Sequence, residues 1–399
     1  MKVTGIIVEY NPLHNGHLYH LQQTKQITNC DYVVAVMSGN FVQRGEPAII
    51  NKWARAEAAL NAGVDLVIEL PVIYSISSAE NFAYGAISIL NKLNIIDSIC
   101  FGSESGDIEP LFKIAQILAE EPKEYKNLLK KFLKQGLPYP KAREFALNNY
   151  FKDENNLLQT SNNILGVEYL KALIKLNSNI KPYTIKRIKN NYNDINITSN
   201  IASATSIRHN FDNYDLIKTT MPEFSFEIIQ REKQLGKGPV NLNNLADLIF
   251  YKIRSLTANE LSKIHDISEG LENKIKYAAE ESSTIEGLLN LALSKRFTKT
   301  RLQRILLYIL LGITKEVYLQ NIKEINYIRI LAANSNGRKL LKYIKDKKLV
   351  DIPIIINPSK YDKELLSLDI KATDIYVLGY SNPKYKIAVQ DLKNKPMLL

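Results

Sequence analysis

The strongest constraint on the fold is an alternation, over the first hundred residues, between short apolar runs and stretches with helical spacing. The apolar runs cover residues 3–8, 32–37, 65–70 and 98–101. Parallel strands that are buried on both faces read as continuous runs of Val, Ile and Leu, as these do. The alternation therefore predicts an α/β fold with a Rossmann-like, doubly wound parallel sheet, whose ligand lies at the carboxyl ends of the strands.

The chain has 399 residues, which is too long for one ordinary domain. Strand and helix patterns continue to a capped helix start at residues 202–208, and the later residues have the apolar spacing of a helix-rich region. We expect an α/β domain over residues 1–211, a helical domain over 212–330 and a small C-terminal α/β subdomain over 331–399.

Composition and patterning exclude several classes of protein. Hydrophobic residues make up 45% and charged residues 23%, as in a folded globular chain. The two cysteines form no CxxC motif, which argues against a disulfide framework or a thiolate zinc site. Glu9 interrupts the first apolar run before that run is long enough for a signal peptide. The longest apolar run, 305–313, is about half the length of a membrane span. We expect a cytoplasmic protein without a membrane segment.

The most informative segment leads from the first apolar run into the loop His14-Asn15-Gly16-His17, and His20 follows in the next helix. A loop between a first parallel strand and its helix presents backbone N–H groups and the positive helix end to an anion. Two imidazoles beside a glycine suit the α- and β-phosphates of a triphosphate, where they would donate hydrogen bonds to the charge that grows as pyrophosphate leaves. No Cys or further His completes a zinc site, so we expect no metal bound by these histidines.

The chain has neither a GxxxxGK[ST] phosphate loop nor a GxGxxG turn after this strand, so P-loop and dinucleotide-binding dehydrogenase functions lose their main support. The HxGH element instead resembles the nucleotidyltransferase superfamily, which includes pantetheine-phosphate and nicotinamide-mononucleotide adenylyltransferases. Residues 203–208, SATSIR, resemble the ISSTxIR signature of that superfamily. The resemblance implies that Ser203, Thr205 and Arg208 hold the β- and γ-phosphates.

Longer strings narrow the resemblance to the tRNA(Met) cytidine acetate ligase family. They are MSGNFVQRGEPA at 37–48, DLVIELP at 65–71, SAE at 78–80 and FGSE at 101–104. The resemblance implies that ATP and acetate give acetyl-adenylate and pyrophosphate. It also implies that the acetyl group passes to N4 of the wobble cytidine of elongator tRNA(Met), giving N4-acetylcytidine. The net charge of +11 suits a polyanionic partner of this kind.

The resemblance also assigns the nucleotide site, with ATP as a substrate and His14 and His17 as catalytic residues at its phosphates. Mg²⁺ is expected to accompany the triphosphate. The residues implied to bind ATP are Ile7, Val8, Glu9, Tyr10, Asn11, Pro12, Leu13, His14, Asn15, Gly16, His17, Leu18, Tyr19, His20, Gly102, Asn162, Arg187 and Ile188.

The best basic patch for tRNA lies in the helical region, where Phe297 is interleaved among five cations. The cations are Lys295, Arg296, Lys299, Arg301 and Arg304, and Arg44, Lys52 and Arg55 nearer the first loop are alternative contacts. Two other functions remain open from sequence alone. One is an adenylyltransferase that joins AMP to a small phosphorylated metabolite, and the other is a non-catalytic RNA-binding protein that has kept the fold.

Overall fold

In a computed structural model of the protein, the structure describes residues 1–152, 156–188, 197, 199–361 and 363–398. The strands are β1 (Val3–Val8), β2 (Tyr32–Ser38), β3 (Phe41–Val42), β4 (Glu46–Pro47), β5 (Leu66–Leu70), β6 (Ser98–Ser103), β7 (Lys181–Lys186), β8 (Ile328–Ala333), β9 (Ile354–Ile355) and β10 (Met397–Leu398).

The α-helices that precede β7 are α1 (Asn15–Thr28), α2 (Lys52–Asn61), α3 (Val72–Ser75), α4 (Ala79–Lys92), α5 (Ile108–Glu120), α6 (Lys123–Lys134), α7 (Tyr139–Phe151) and α8 (Ser161–Lys175). Those that follow are α9 (Ala204–His209), α10 (Tyr214–Lys218), α11 (Glu223–Gln234), α12 (Ala246–Ser255), α13 (Ala258–Ser262), α14 (Leu271–Glu280), α15 (Ile285–Ala292), α16 (Lys299–Leu311), α17 (Lys315–Asn321), α18 (Ser335–Asp346), α19 (Ser367–Tyr376) and α20 (Gln390–Lys393). Within the described ranges, no helix is long and apolar enough to cross a membrane.

The main sheet has the strand order β10-β8-β5-β2-β1-β6-β7, with β9 also beside β8. Neighbouring strands are parallel except for β5 and β8, which are antiparallel. The five parallel strands from β5 to β7 follow the 3-2-1-4-5 order of a Rossmann fold. The predicted α/β class, with a doubly wound sheet followed by a helix-rich region, is therefore confirmed.

Strand β2 illustrates why the sequence forms this sheet. Successive side chains of a strand point to opposite faces. Val34 and Val36 belong to the apolar core on one face, whereas Val33 and Ala35 belong to the core on the other. Both faces are covered, so an uninterrupted apolar run is the pattern that buries the most surface.

The C-terminal segment is built onto the edge of the same sheet. Strand β8 begins at Ile328, slightly before the expected domain boundary at residue 331, and pairs with β5. Strands β9 and β10 then add to β8, and Gly337 in α18 approaches the backbone of Asp65 so closely that a Cβ atom there would lie 2.0 Å from the carbonyl oxygen. The division into three domains stays a prediction, and the first and last segments share one sheet.

Four charged side chains are buried together where α2, β5, β8 and α20 meet. The Nζ atom of Lys52 lies 2.7 Å from a carboxylate oxygen of Glu69 and 2.7 Å from one of Asp391. The guanidinium of Arg329 lies 3.3 Å from the second oxygen of Glu69 and also pairs with Asp391. None of the four is more than 3% exposed. Because two cations face two carboxylates, the charges compensate one another in the protein interior.

We expect Asp391→Asn to lower the free energy of unfolding by about 3–5 kcal/mol, because removing one member of a buried ion pair leaves the remaining charges uncompensated. Urea denaturation at neutral pH measures the change. The matched control is Asp351→Asn, which neutralises an exposed carboxylate and should change stability by less than about 0.5 kcal/mol. Equal stabilities for the two variants would show that the buried cluster does not hold the C-terminal segment.

Candidate functional site

A crevice opens where the direction of chain winding reverses, between β1 and β6. Strand β1 connects through α1 to β2 on one side, whereas β6 connects through α5 to α8 and then to β7 on the other. In an open α/β sheet, such a switch point at the carboxyl ends of the strands is the usual place for a ligand. The loop after β1 and the residues that follow β6 and β7 are therefore brought to one place.

The two catalytic candidates form the first turn of α1. His14 is the N-cap, with φ −137° and ψ 172°, and its Nδ1 accepts a hydrogen bond from the backbone N–H of Gly16 at 3.1 Å. The Nδ1 of His17 accepts from the backbone N–H of His14 at 3.3 Å. The two rings lie 3.7 Å apart, centroid to centroid. Since each Nδ1 is an acceptor, each neutral ring carries its proton on Nε2, which leaves an N–H donor on both rings.

The electrostatic surroundings keep these imidazoles neutral. Burial, aided by the positive charges of Arg187 and Arg208, lowers the pKa of His14 to about 3. Burial also lowers the pKa of His17 well below its usual range, and that of His20 to about 4. In the described part of the chain, the buried Nε2 of His20 has no hydrogen-bond partner. Three uncharged rings therefore line a site that already contains two arginines.

Arg55 is hydrogen-bonded to the backbone at the start of the loop that leads to His14. Its guanidinium donates to the carbonyl oxygens of Glu9 at 2.6 Å and Ile50 at 3.2 Å, and also to that of Gly39. The sequence offered Arg55 and Lys52 as alternative tRNA contacts, and this prediction is wrong. Both side chains are 1% exposed because their hydrogen-bond and ion-pair partners lie inside the protein.

The carboxylate of Glu9 fixes the loop on the β2 side. It accepts hydrogen bonds from the backbone N–H of Gln43 at 2.7 Å and from the hydroxyl of Ser38 at 3.3 Å. Burial raises the pKa of Glu9, although the Gln43 hydrogen bond and the charges of Arg55 and Arg208 act in the opposite direction. Glu9 therefore joins the ends of β1 and β2 rather than lying free in the crevice.

The SATSIR segment also reaches the first loop. Ser203 caps α9 by accepting a hydrogen bond from the backbone N–H of Ser206 at 3.0 Å, and Thr205 is partly exposed in the first turn. Arg208 donates to the carbonyl oxygen of Asn11 at 2.8 Å and lies 3.8 Å from the carboxylate of Glu46. The guanidinium of Arg208, which follows the rest of the expected α/β domain in sequence, thus places a positive charge next to His14.

On the other side of the crevice, β7 ends at Lys186, and Arg187 and Ile188 follow it directly. The backbone N–H of Arg187 donates to the carbonyl of Ser103 at 2.9 Å. A Cβ atom at Gly102 would lie 3.3 Å from Cγ of Arg187, which indicates close packing of the two chain segments. Ile188 is 48% exposed at the rim.

Glu104 and Asn163 are two residues of this side that sequence reasoning missed. The carboxylate of Glu104 accepts from the Asn162 side chain at 2.6 Å and from the backbone N–H of Asn163 at 2.8 Å. The side-chain oxygen of Asn163 in turn accepts from the backbone N–H groups of Glu104 at 3.0 Å and Ser105 at 3.2 Å. Glu104 comes directly after β6, and a carboxylate at the carboxyl end of a strand was the signal that could have identified it.

The other residues that the sequence linked to ATP are in the same region. Ile7 and Val8 lie in β1, Tyr10 to Leu13 in the loop, and Asn15 to His20 in α1.

The basic patch that the sequence linked to tRNA surrounds the start of α16, where Lys295 and Lys299 are exposed. Arg296 pairs with Glu269, and Arg301 forms a bidentate pair with Asp266, with contacts of 2.7 and 3.0 Å. Arg304 is partly buried in the same helix.

Comparison with known proteins gives matches over nearly the whole chain. The family model described as HIGH Nucleotidyl Transferase matches residues 1–391. A tRNA(Met) cytidine acetate ligase of Caldanaerobacter subterraneus subsp. tengcongensis is 50% identical over 391 residues, covering 96% of each chain. One of Acetivibrio thermocellus is 48% identical over 419 residues and covers 100% of both.

Two solved structures of Thermotoga maritima TmcAL have the same fold. Each is 39% identical and covers 100% of both chains, and the TM-scores are 0.96 for an apo form and 0.94 for a form bound with alpha-thio ATP. The sequence matches and the structural matches agree in extent and in kind. The chain therefore belongs to the HIGH nucleotidyl transferase family and, within it, to the family of the tRNA(Met) cytidine acetate ligases.

Proposed function

We propose that this chain is an ATP-dependent acetate ligase, which forms acetyl-adenylate and transfers the acetyl group to N4 of the wobble cytidine of elongator tRNA(Met), giving N4-acetylcytidine. The observation that carries the proposal is the pair of neutral imidazoles, His14 and His17, whose Nδ1 atoms are both occupied at the switch point. The names of the relatives, which match 96–100% of the chain, support acetate and tRNA(Met) as the substrates.

In the first step, a carboxylate oxygen of acetate attacks the α-phosphorus of ATP. The bond from that phosphorus to the bridging oxygen breaks, and pyrophosphate leaves with the electron pair. Negative charge grows on the phosphate oxygens during this exchange, and fixed donors stabilise it without having to reorganise. The Nε2–H groups of His14 and His17 are such donors, and Arg187 and Arg208 supply positive charge beside them.

In the second step, the N4 amine of the cytidine attacks the acetyl carbon. The bond from that carbon to the AMP oxygen breaks, AMP leaves with the electron pair, and N4 loses a proton. Bases of an anticodon loop are single-stranded, so the cytidine can leave its stack to reach the acetyl-adenylate. We place the reaction in the cytoplasm, where ATP and tRNA are both available.

We assign ATP binding to residues 7–20 on one side of the crevice and to Gly102, Asn162, Arg187 and Ile188 on the other. The close packing of Arg187 on Gly102 supports this assignment, because it places the arginine at the carboxyl end of β6. The side chain of Asn162 is bound to Glu104, so we assign it to holding the corner between β6 and α8. Ser203, Thr205 and Arg208 are assigned to the β- and γ-phosphates.

We propose that Mg²⁺ enters the site with ATP. Within the described residues, no group of three or more His, Cys, Asp or Glu side chains is arranged to hold a metal ion. Mg²⁺ in nucleotide sites keeps several waters and is held by substrate phosphates and one or two carboxylates. The carboxylate of Glu46, which lies 3.8 Å from the guanidinium of Arg208, fits that limited role. When bound, the ion would neutralise charge on the departing pyrophosphate.

The helical region over 212–330 is proposed to contribute to tRNA binding through the patch at Lys295, Arg296, Lys299, Arg301 and Arg304. Lys295, Arg296 and Lys299 are its exposed cations. The internal ion pairs of Arg296 and Arg301 offset part of the positive charge of the patch. A tRNA therefore needs further cationic contacts elsewhere on the protein.

The direct test of the activity is incubation of the purified protein with radiolabelled acetate, ATP and Mg²⁺, with and without bacterial tRNA. We expect label in the recovered RNA as N4-acetylcytidine only when ATP and tRNA are both present. Unlabelled RNA, together with a stable dinucleotide product from a small phosphorylated metabolite, would instead identify an adenylyltransferase.

We expect His14→Asn to reduce the acetate-dependent exchange of pyrophosphate into ATP by about a hundredfold or more, because it removes one donor to the transition state. Asn is a good N-cap, so its side-chain oxygen can accept from Gly16 as the imidazole does, and α1 should stay intact. Circular dichroism and tRNA binding serve as controls. Near-normal exchange by the folded variant would exclude a role for His14 at the phosphates.

The neutral state of His14 has a consequence for stability without nucleotide. The side chain is 4% exposed, and its pKa is about 3 in the folded chain against an ordinary value of 6.5. Below pH 6.5 the unfolded chain takes up a proton that the folded chain does not, so the free energy of unfolding falls as the pH falls. Denaturation at pH 7.5 and pH 5.5 should show a loss that is about 1 kcal/mol smaller in His14→Asn than in the parent protein. Equal losses would mean that His14 is protonated in the folded chain.

A further inference from the structure

A helical hairpin, formed by α6 and α7, carries a clear excess of positive charge. The hairpin lies within the connection from β6 to β7. Its residues 121–152 include eight Lys or Arg side chains and only three Glu. Neither the nucleotide site nor the patch on α16 involves these residues.

An open cavity beside α6 is lined by lysine and amide side chains and by no carboxylate. Asn127 lies three and four residues before Lys130 and Lys131, and these lie four and three residues before Lys134, so the four side chains share a face of the helix. With Gln135 they line a cavity of about 400 Å³. Lysine and amide groups without a carboxylate are the chemistry that suits phosphate oxygens.

The three lysines of this face have no internal partner to offset their charge. Lys130, Lys131 and Lys134 are all exposed. In the described ranges of the chain, none has a carboxylate within 4.0 Å, whereas Arg296 and Arg301 of the other patch both do. Like charges four residues apart destabilise a helix, so Lys130 and Lys134 impose a cost that a bound polyanion would remove.

Aromatic rings lie among these cations. Phe132 of α6 and Phe145 of α7 contact each other, with ring centroids 5.6 Å apart. The Nζ atoms of Lys131 and Lys141 lie 5.9 Å and 5.5 Å from these two rings. Tyr139, at the start of α7, is 52% exposed. Exposed rings beside cations are the combination on which unpaired nucleic-acid bases stack.

We propose that the α6–α7 hairpin is a docking surface for tRNA, in which the lysines of α6 bind phosphates and the exposed rings bind unpaired bases. The inference rests on the proposed function and adds a contact surface to it. Helix α16 packs against the β3–β4 turn, where the Gln303 side chain donates to Glu46 at 2.9 Å. The hairpin is attached on the β6–β7 side instead. The two basic surfaces therefore belong to different parts of the fold, one beside the β3–β4 turn and one between β6 and β7.

The test compares two triple variants of the full-length chain. The first is Lys130→Gln/Lys131→Gln/Lys134→Gln. The control is Lys339→Gln/Lys342→Gln/Lys345→Gln, which removes the same charge from exposed positions of α18. The measurements are the Kd for elongator tRNA(Met) at several KCl concentrations and the acetate-dependent exchange of pyrophosphate into ATP without tRNA.

We expect the first variant to bind tRNA at least about tenfold more weakly than the control, with a salt slope reduced by about two. Exchange should be equal in both. Equal Kd values and salt slopes for the two variants would overturn the proposal, even with exchange intact. So would binding of the parent protein to phosphatidylglycerol vesicles that only the first variant loses, because the hairpin would then be a lipid-binding surface. Absence of exchange in the parent protein would contradict the proposed function itself.

Discussion

The buried set of Lys52, Glu69, Arg329 and Asp391 is the interaction on which the rest of the structure depends. Removing a charge from water costs several kcal/mol, so these side chains are tolerated only together. Their assembly requires the start of α2, the middle strands β5 and β8, and the C-terminal segment to meet at one point. One turn after Lys52, Arg55 of the same helix holds the backbone of the first loop. The buried charge cluster and Arg55 thus position the catalytic candidates, although the cluster itself does not line the crevice.

In the crevice, one set of hydrogen bonds serves structure and chemistry at once. The caps that begin α1 use the Nδ1 atoms of His14 and His17, and this use fixes the protons on Nε2. Low pKa values caused by burial keep the rings uncharged, so that their N–H donors are present at any physiological pH. Positive charge comes from Arg187 and Arg208, which reach the site from separate parts of the chain. The HxGH pattern combines helix initiation with a pair of oriented donors.

The sequence allowed prediction of the parallel strands and the first loop, because both depend on local patterns. Buried runs such as residues 32–37 fit a sheet that is covered on both faces, and HNGH stands directly after the first of them. The place of β8 could not be predicted, since an apolar run does not reveal its partner or direction. Lys52 and Arg55 looked like surface cations because the partners that allow their burial are distant in sequence. Glu104 and Asn163 were missed for the same reason, as each has a role only through the other.

The separation along the chain between Lys52 and Asp391 has a consequence for synthesis on the ribosome. The two residues are 339 positions apart. At about 5–20 residues per second, translation needs roughly 20–70 s to pass from one to the other. During that interval Lys52 can pair with Glu69, but the Asp391 carboxylate and the Arg329 guanidinium that complete the cluster are absent. The buried charge cluster can therefore be completed only after β8 and α20 have emerged, which makes the docking of the C-terminal segment a late step of folding.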